Sequence, residues 1–130
     1  MNDLRDNYKE MEKFGIKKAN AKLFLPPFEW YNNTISKWTN ELGLTLINFT
    51  PGTYSNADYT TPDMGDKYFS SETIYKKILD YEKTSATGLN GFILLLHIGT
   101  HPNRTDKLYY KLDELINELN KRGYSFTYLK

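Results

Sequence analysis

Gly91-Phe92-Ile93-Leu94-Leu95-Leu96-His97 is the stretch on which the reading of this chain turns. An apolar run without alternation predicts a strand covered on both faces, since a half-buried strand would alternate apolar and polar residues. A glycine opens the run and a histidine closes it, so chemistry is expected where the run reaches the surface.

Working outward from it, Thr105 is expected to cap a last helix. Its Leu108, Leu112, Leu115, Ile116 and Leu119 recur at helical spacing, the strongest periodic signal in the chain. Gly123 ends that helix, and residues 124–129 alternate as a closing strand. Upstream, Ser70 or Ser71 caps a helix with Glu72 in its first turn and Ile74, Ile78 and Tyr81 on its inner face. Residues 50–69 form a long loop rich in Pro, Gly, Asn, Asp and Thr, a length that usually signals function or disorder. Before it, residues 44–49 read as a strand, and Ile35, Trp38 and Leu42 mark a helix ended by Gly43. Residues 22–25 are a strand stopped by Pro26-Pro27, because proline cannot donate to a ladder. Leu4, Tyr8 and Met11 make a first amphipathic helix with Gly15 as its C-cap.

The order is α-β-α-β-loop-α-β-α-β. Strands separated by helices imply right-handed crossovers, so one α/β domain over residues 1–130 with a parallel sheet of repeated βα units is expected. Ligands of such folds bind beyond the carboxyl ends of the strands. Three segments leave there: Pro26 to Tyr31, Thr50 to Asp63, and His97 to His101.

Composition narrows the partners. Lys and Arg number 17 against 16 Asp and Glu, interspersed to a net charge of +1. Without a basic stripe, no nucleic-acid partner is expected. The absence of cysteine excludes disulfides and thiolate nucleophiles. The first six residues lack a signal peptide's apolar run, and the longest apolar run falls well short of the ~20 residues of a membrane helix, so no membrane partner is expected. Eleven Tyr, seven Phe and two Trp offer flat apolar faces that suit a protein core or the rings of sugars.

His97 is the leading candidate for chemistry. An imidazole at a strand end can pass a proton to a leaving group; it can equally cap the strand through a backbone hydrogen bond. Asp58 and Asp63, in the long loop, could pair with it. A carboxylate bonded to an imidazole favours the imidazolium, as a general acid requires; either aspartate could instead cap a local turn. Glu29 is a further candidate carboxylate, or a complement to the helix that follows. His101 reads as a solvated loop residue. No helical His-x-x-x-His and no Asp-Asp pair is present, so no self-contained metal site is expected. Gly-x-Ser-x-Gly and the Gly-rich phosphate loops are absent as well.

Four segments resemble the second half of the polysaccharide deacetylases, the NodB-type carbohydrate esterases. Leu95-Leu96-His97 is similar to that family's closing Leu-x-His motif, and Leu119 to Phe126 to its L-x-x-x-G-Y-x-F tail. Pro26-Pro27-Phe28 resembles Arg-Pro-Pro-Tyr with Leu25 in place of the arginine, and Asn56-Ala57-Asp58-Tyr59 an Asp-Trp motif with Tyr59 in place of tryptophan. The resemblance implies the C-terminal half of a distorted (β/α) barrel that removes acetyl groups from N-acetylated sugars of a glycan. It also implies a divalent metal, zinc in most members, held by one Asp and two His. On that pattern His97 is the general acid, Asp58 orients it, Leu95 lines the acetyl pocket, and the backbone at Phe28 contributes to the oxyanion site. Trp30 and Tyr59 are expected to contact the sugar.

The family's Thr-Phe-Asp-Asp and His-x-x-x-His motifs, which carry the metal ligands and the base, are absent. The resemblance therefore implies a partner, the missing N-terminal half of the same protein, and a chain that neither binds the metal nor deacetylates alone. Half a barrel would expose sheet edges, which predicts self-association. Two alternatives stand beside this reading. One is a non-catalytic carbohydrate-binding module using Trp30, Tyr31, Tyr54 and Tyr59; the other is a structural α/β subdomain.

Overall fold

Helices carry most of the order in the computed structural model, which describes residues 2–127. The chain divides into two units, Met1–Asn48 and Phe49–Lys130.

The first unit contains helix α1 (Asn2–Lys13), strand β1 (Leu23–Phe24), helix α2 (Asn33–Glu41) and strand β2 (Thr45–Leu46). Leu4 and Tyr8, one helical turn apart, are the buried face of α1, and the Tyr8 hydroxyl donates to the Ala21 carbonyl. The Asn32 side chain accepts from the Ile35 amide at 2.9 Å, satisfying one of the amides that a helix start leaves without a partner. Gly43, at φ +67°, takes the left-handed turn that lets the chain leave α2 for β2. β1 and β2 pair in parallel, Leu23 with Thr45 and Phe24 with Leu46.

The second unit is built on helices α3 (Ser71–Thr84) and α4 (Leu112–Lys121). Ser70 caps α3 through the Thr73 amide at 3.1 Å. Ile74, Tyr75 and Ile78 of α3 meet Leu115 and Leu119 of α4, with Leu89 and Leu108 completing the cluster. Each such aliphatic side chain contributes roughly 1.5–3 kcal/mol when withdrawn from water. Phe92, Leu94 and Leu96, alternate residues of the apolar run, pack against this cluster.

The expected parallel sheet of repeated βα units, half of a (β/α) barrel, is not what the chain builds. β1 and β2 are the only strands among the described residues, and each is two residues long. The reason lies in what occupies the main chain of residues 91–97. The Ile93 amide donates to the Thr50 hydroxyl at 3.1 Å, and the His97 amide donates to the Asp58 carboxylate at 2.8 Å. The Ile93 carbonyl accepts from the Thr50 amide at 2.9 Å. Side chains of the 50–69 loop thus take donors that a neighbouring strand would need, and no ladder forms. Residues 124–127 are likewise not a strand, and the rest of that expected strand, 128–129, lies outside the described residues.

α4 also starts later than the cap at Thr105 would place it. A 3-10 turn, Leu108–Lys111, precedes it. The residues ahead are committed elsewhere: Asp106 Oδ2 accepts from the Ser71 amide at 2.6 Å, and Lys107 Nζ donates to Thr100 Oγ1 and to the His101 carbonyl at 2.7 and 2.8 Å.

Candidate functional site

The long loop is not disordered. Gly52, at φ +119°, brings the backbone against the Tyr81 ring, where a Cβ would stand 2.6 Å from ring carbon Cε2, so the loop lies directly on α3. A 3-10 turn, Ser55–Ala57, follows and delivers Asp58. The Thr60 amide and hydroxyl both donate to the Ala57 carbonyl, at 3.0 and 2.6 Å, closing the turn around Asp58.

Asp58 is buried, its side chain fully so, and both of its oxygens are used by one residue. Oδ1 lies 2.6 Å from His97 Nδ1, and Oδ2 accepts from the His97 backbone amide at 2.8 Å. A carboxylate only accepts, so Nδ1 carries the proton in this contact. That leaves Nε2 as the nitrogen available to a ligand, on a side chain 36% exposed. The Tyr59 ring stands edge-on to the imidazole, centroids 5.5 Å apart and planes at 77°. Histidine, aspartate and tyrosine thus form one cluster, joined across 39 residues of sequence.

This cluster borders an open cleft of about 350 Å³ whose walls include Tyr59, Asp63, Met64, Thr100 and His101. The volume is of the size that small ligands occupy. Asp63 lines the cleft instead of pairing with His97. The Thr61 hydroxyl bonded to it, then its own backbone amide, hold its carboxyl below the usual aspartate range, and His101 adds a small favourable charge. His101 is exposed, with Nδ1 accepting from the Asn103 amide at 3.1 Å.

Leu95 is half-buried and is not part of the cleft wall. Phe28 and Trp30 belong to the first unit, 85% and 81% exposed. They flank a turn in which Phe28 and Glu29 both take positive φ, +56° and +57°, a conformation costly for residues with a Cβ. The Asn48 amide supports it, donating to the Glu29 carbonyl at 2.9 Å. Among the described residues no three His, Asp or Glu side chains converge as a metal site. No described helix is long and apolar enough to cross a membrane.

Two residues bonded to the loop that carries Asp58, or to the helix after it, gave no sequence signal. Arg104 is fully buried and donates to Ser71 Oγ at the start of α3, where Asp106 accepts from the Ser71 amide. The surrounding Asn103-Arg104-Thr105-Asp106 reads as an ordinary polar turn, and an arginine in such a turn is solvated far more often than buried.

No family model, curated protein or solved structure matches this chain.

Proposed function

We propose that this chain supplies the proton donor of a hydrolase that removes acetyl groups from the N-acetylated sugars of a glycan. The metal ligands and the base would come from a preceding segment of the same protein. The described residues offer no set of ligands for the divalent metal that the resemblance implies. In hydrolysis of the acetamide, the oxygen of water bonds to the carbonyl carbon and the bond from carbon to nitrogen breaks. The base of the preceding segment takes a proton from that water; His97, acting as the imidazolium with Nδ1–H held by Asp58, gives its Nε2 proton to the departing nitrogen, and acetate and an amino sugar are released.

One observation carries the reading: Asp58 grips His97 at both its backbone amide and Nδ1, fixing the ring with Nε2 unengaged beside a cleft. A histidine serving only to cap a chain end has no need of a fully buried carboxylate on its ring. The similarity of Leu95-Leu96-His97 and of the tail through Phe126 to deacetylase motifs supports the same reaction.

The test is His97→Ala in the full-length protein, with metal content measured alongside. The expected result is a kcat lower by roughly 10²–10⁴, the usual contribution of a general acid, with metal content unchanged. An unchanged kcat overturns the reading. The 130 residues alone are expected to release no acetate, and zinc-dependent release from them would refute the division of the site between two segments.

A second reading, a carbohydrate-binding module, is favoured by the exposure of Phe28 and Trp30 on their strained turn. It expects the isolated chain to bind glycan and Trp30→Ala to abolish that binding.

A further inference from the structure

Resting on the reading of His97 as a proton donor, we propose that Arg104 is its positioning residue, holding the turn that carries Asp58 in register with the imidazole. Arg104 is 0% exposed. A buried cation is ordinarily matched by a close carboxylate, but the nearest one here, Asp106 Oδ2, stands 3.8 Å away. The guanidinium is instead spent on the loop. Nη1 donates to the Thr60 carbonyl at 2.6 Å and approaches the Thr60 hydroxyl at 3.4 Å. Nη2 donates to the Phe69 carbonyl at 2.9 Å and to Ser71 Oγ at 3.1 Å.

The connections explain why that matters to His97. Thr60 follows Asp58 by two residues, and its amide and hydroxyl already close the turn from Ala57. Gripping the Thr60 carbonyl fixes the same turn from outside. The second arm of the fork holds Phe69 and Ser71, so both ends of the 60–71 segment are tied to one planar group. That group stands seven residues after His97 on the segment leaving it. The Arg104 amide bonds to the His101 carbonyl at 3.0 Å, and Lys107 fastens Thr100 and His101. Arg104 is therefore a strut between the segment that follows the imidazole and the turn bearing its carboxylate. A displacement of about 1 Å would take the 2.6 Å bond from Asp58 to Nδ1 outside hydrogen-bonding range. Lysine keeps the charge but donates from one atom, whereas Thr60 and Phe69 are reached by the two separate nitrogens of the fork.

The test compares Arg104→Lys, Arg104→Gln and Asp58→Asn with the unaltered chain by NMR, following the His97 Nδ1 proton, with thermal unfolding as the check on folding. Arg104→Lys is expected to fold cooperatively. Its Nδ1 proton should exchange with solvent roughly tenfold faster, on the scale of losing one hydrogen bond from a charged group. Asp58→Asn, which leaves one acceptor oxygen for the two His97 donors, sets the scale of loss at Nδ1. A folded Arg104→Lys chain that keeps a slowly exchanging Nδ1 proton overturns the proposal. So does failure of both Arg104 variants to fold, which makes Arg104 a core support and nothing more. The readout is a bond within this chain, so it is independent of catalysis. Normal turnover by His97→Ala in the full-length protein would sink the proton-donor reading while leaving the Arg104 result to stand.

Discussion

Asp58→Asn isolates the contact on which the site depends. In the folded chain one carboxylate oxygen receives the His97 amide and the other the Nδ1 proton. Asparagine can keep one of these bonds but not both, because it replaces one acceptor with an NH₂ donor. With its oxygen on the His97 amide, its nitrogen faces Nδ1 and favours the ring with the proton moved to Nε2. A hydrogen bond to a charged group contributes about 1.5–3 kcal/mol net. The His97 side chain is 36% exposed, so water competes and the lower value applies. About 1.5 kcal/mol corresponds to roughly a tenfold change in the ratio of the two neutral tautomers. Long-range ¹⁵N–¹H NMR of the imidazole, above neutral pH, reads that ratio directly. The unaltered chain should show mainly the Nδ1–H form, and Asp58→Asn should shift the balance about tenfold toward Nε2–H. An unchanged ratio would mean that Asp58 does not set the state of the ring, and the proton-donor argument would lose its physical basis.

Two further outcomes follow from the surroundings of the site. Asp106 is opposed by partial burial, but the Ser71 amide, the Arg104 charge and the Tyr68 hydroxyl together hold its carboxyl below the usual aspartate value. A depressed folded value stabilises the chain above the unfolded value of about 3.9 and is lost as pH falls through the folded one. Asp106→Asn should therefore flatten the fall in unfolding temperature below about pH 4, and identical acid limbs in the two chains would contradict it. Gly88 sits at φ +58° with the Tyr124 hydroxyl 2.1 Å from where a Cβ would stand, so Gly88→Ala should cost about 1–3 kcal/mol in denaturant unfolding. Tyr124→Phe in the same chain should recover the part due to the hydroxyl, and a Gly88→Ala chain as stable as the original would refute the close approach.

The helices were legible in the sequence because their signals are local. Leu4 with Tyr8 and Ser70 with Thr73 each act within one turn, and periodicity or capping chemistry reads them directly, whereas the Asn32 cap on Ile35 was not read from the sequence. The sheet was not legible, because an apolar run states only that its faces are covered and not what accepts its main-chain hydrogens. For residues 91–97, Thr50 and Asp58 do part of that work, and both belong to a stretch whose composition reads as loop. The meeting of Asp58 with His97 was anticipated from strand ends converging at one edge of a sheet. It forms here by a different route: the carboxylate is itself the acceptor that takes the strand's place at His97. Arg104 gave no signal because its partners are main-chain carbonyls of the 50–69 loop. Buried loop carbonyls such as those of Thr60 and Phe69 need donors from outside a ladder, and a buried guanidinium can serve several of them at once. The partners of a buried guanidinium in a polar turn cannot be inferred from the spacing of apolar residues.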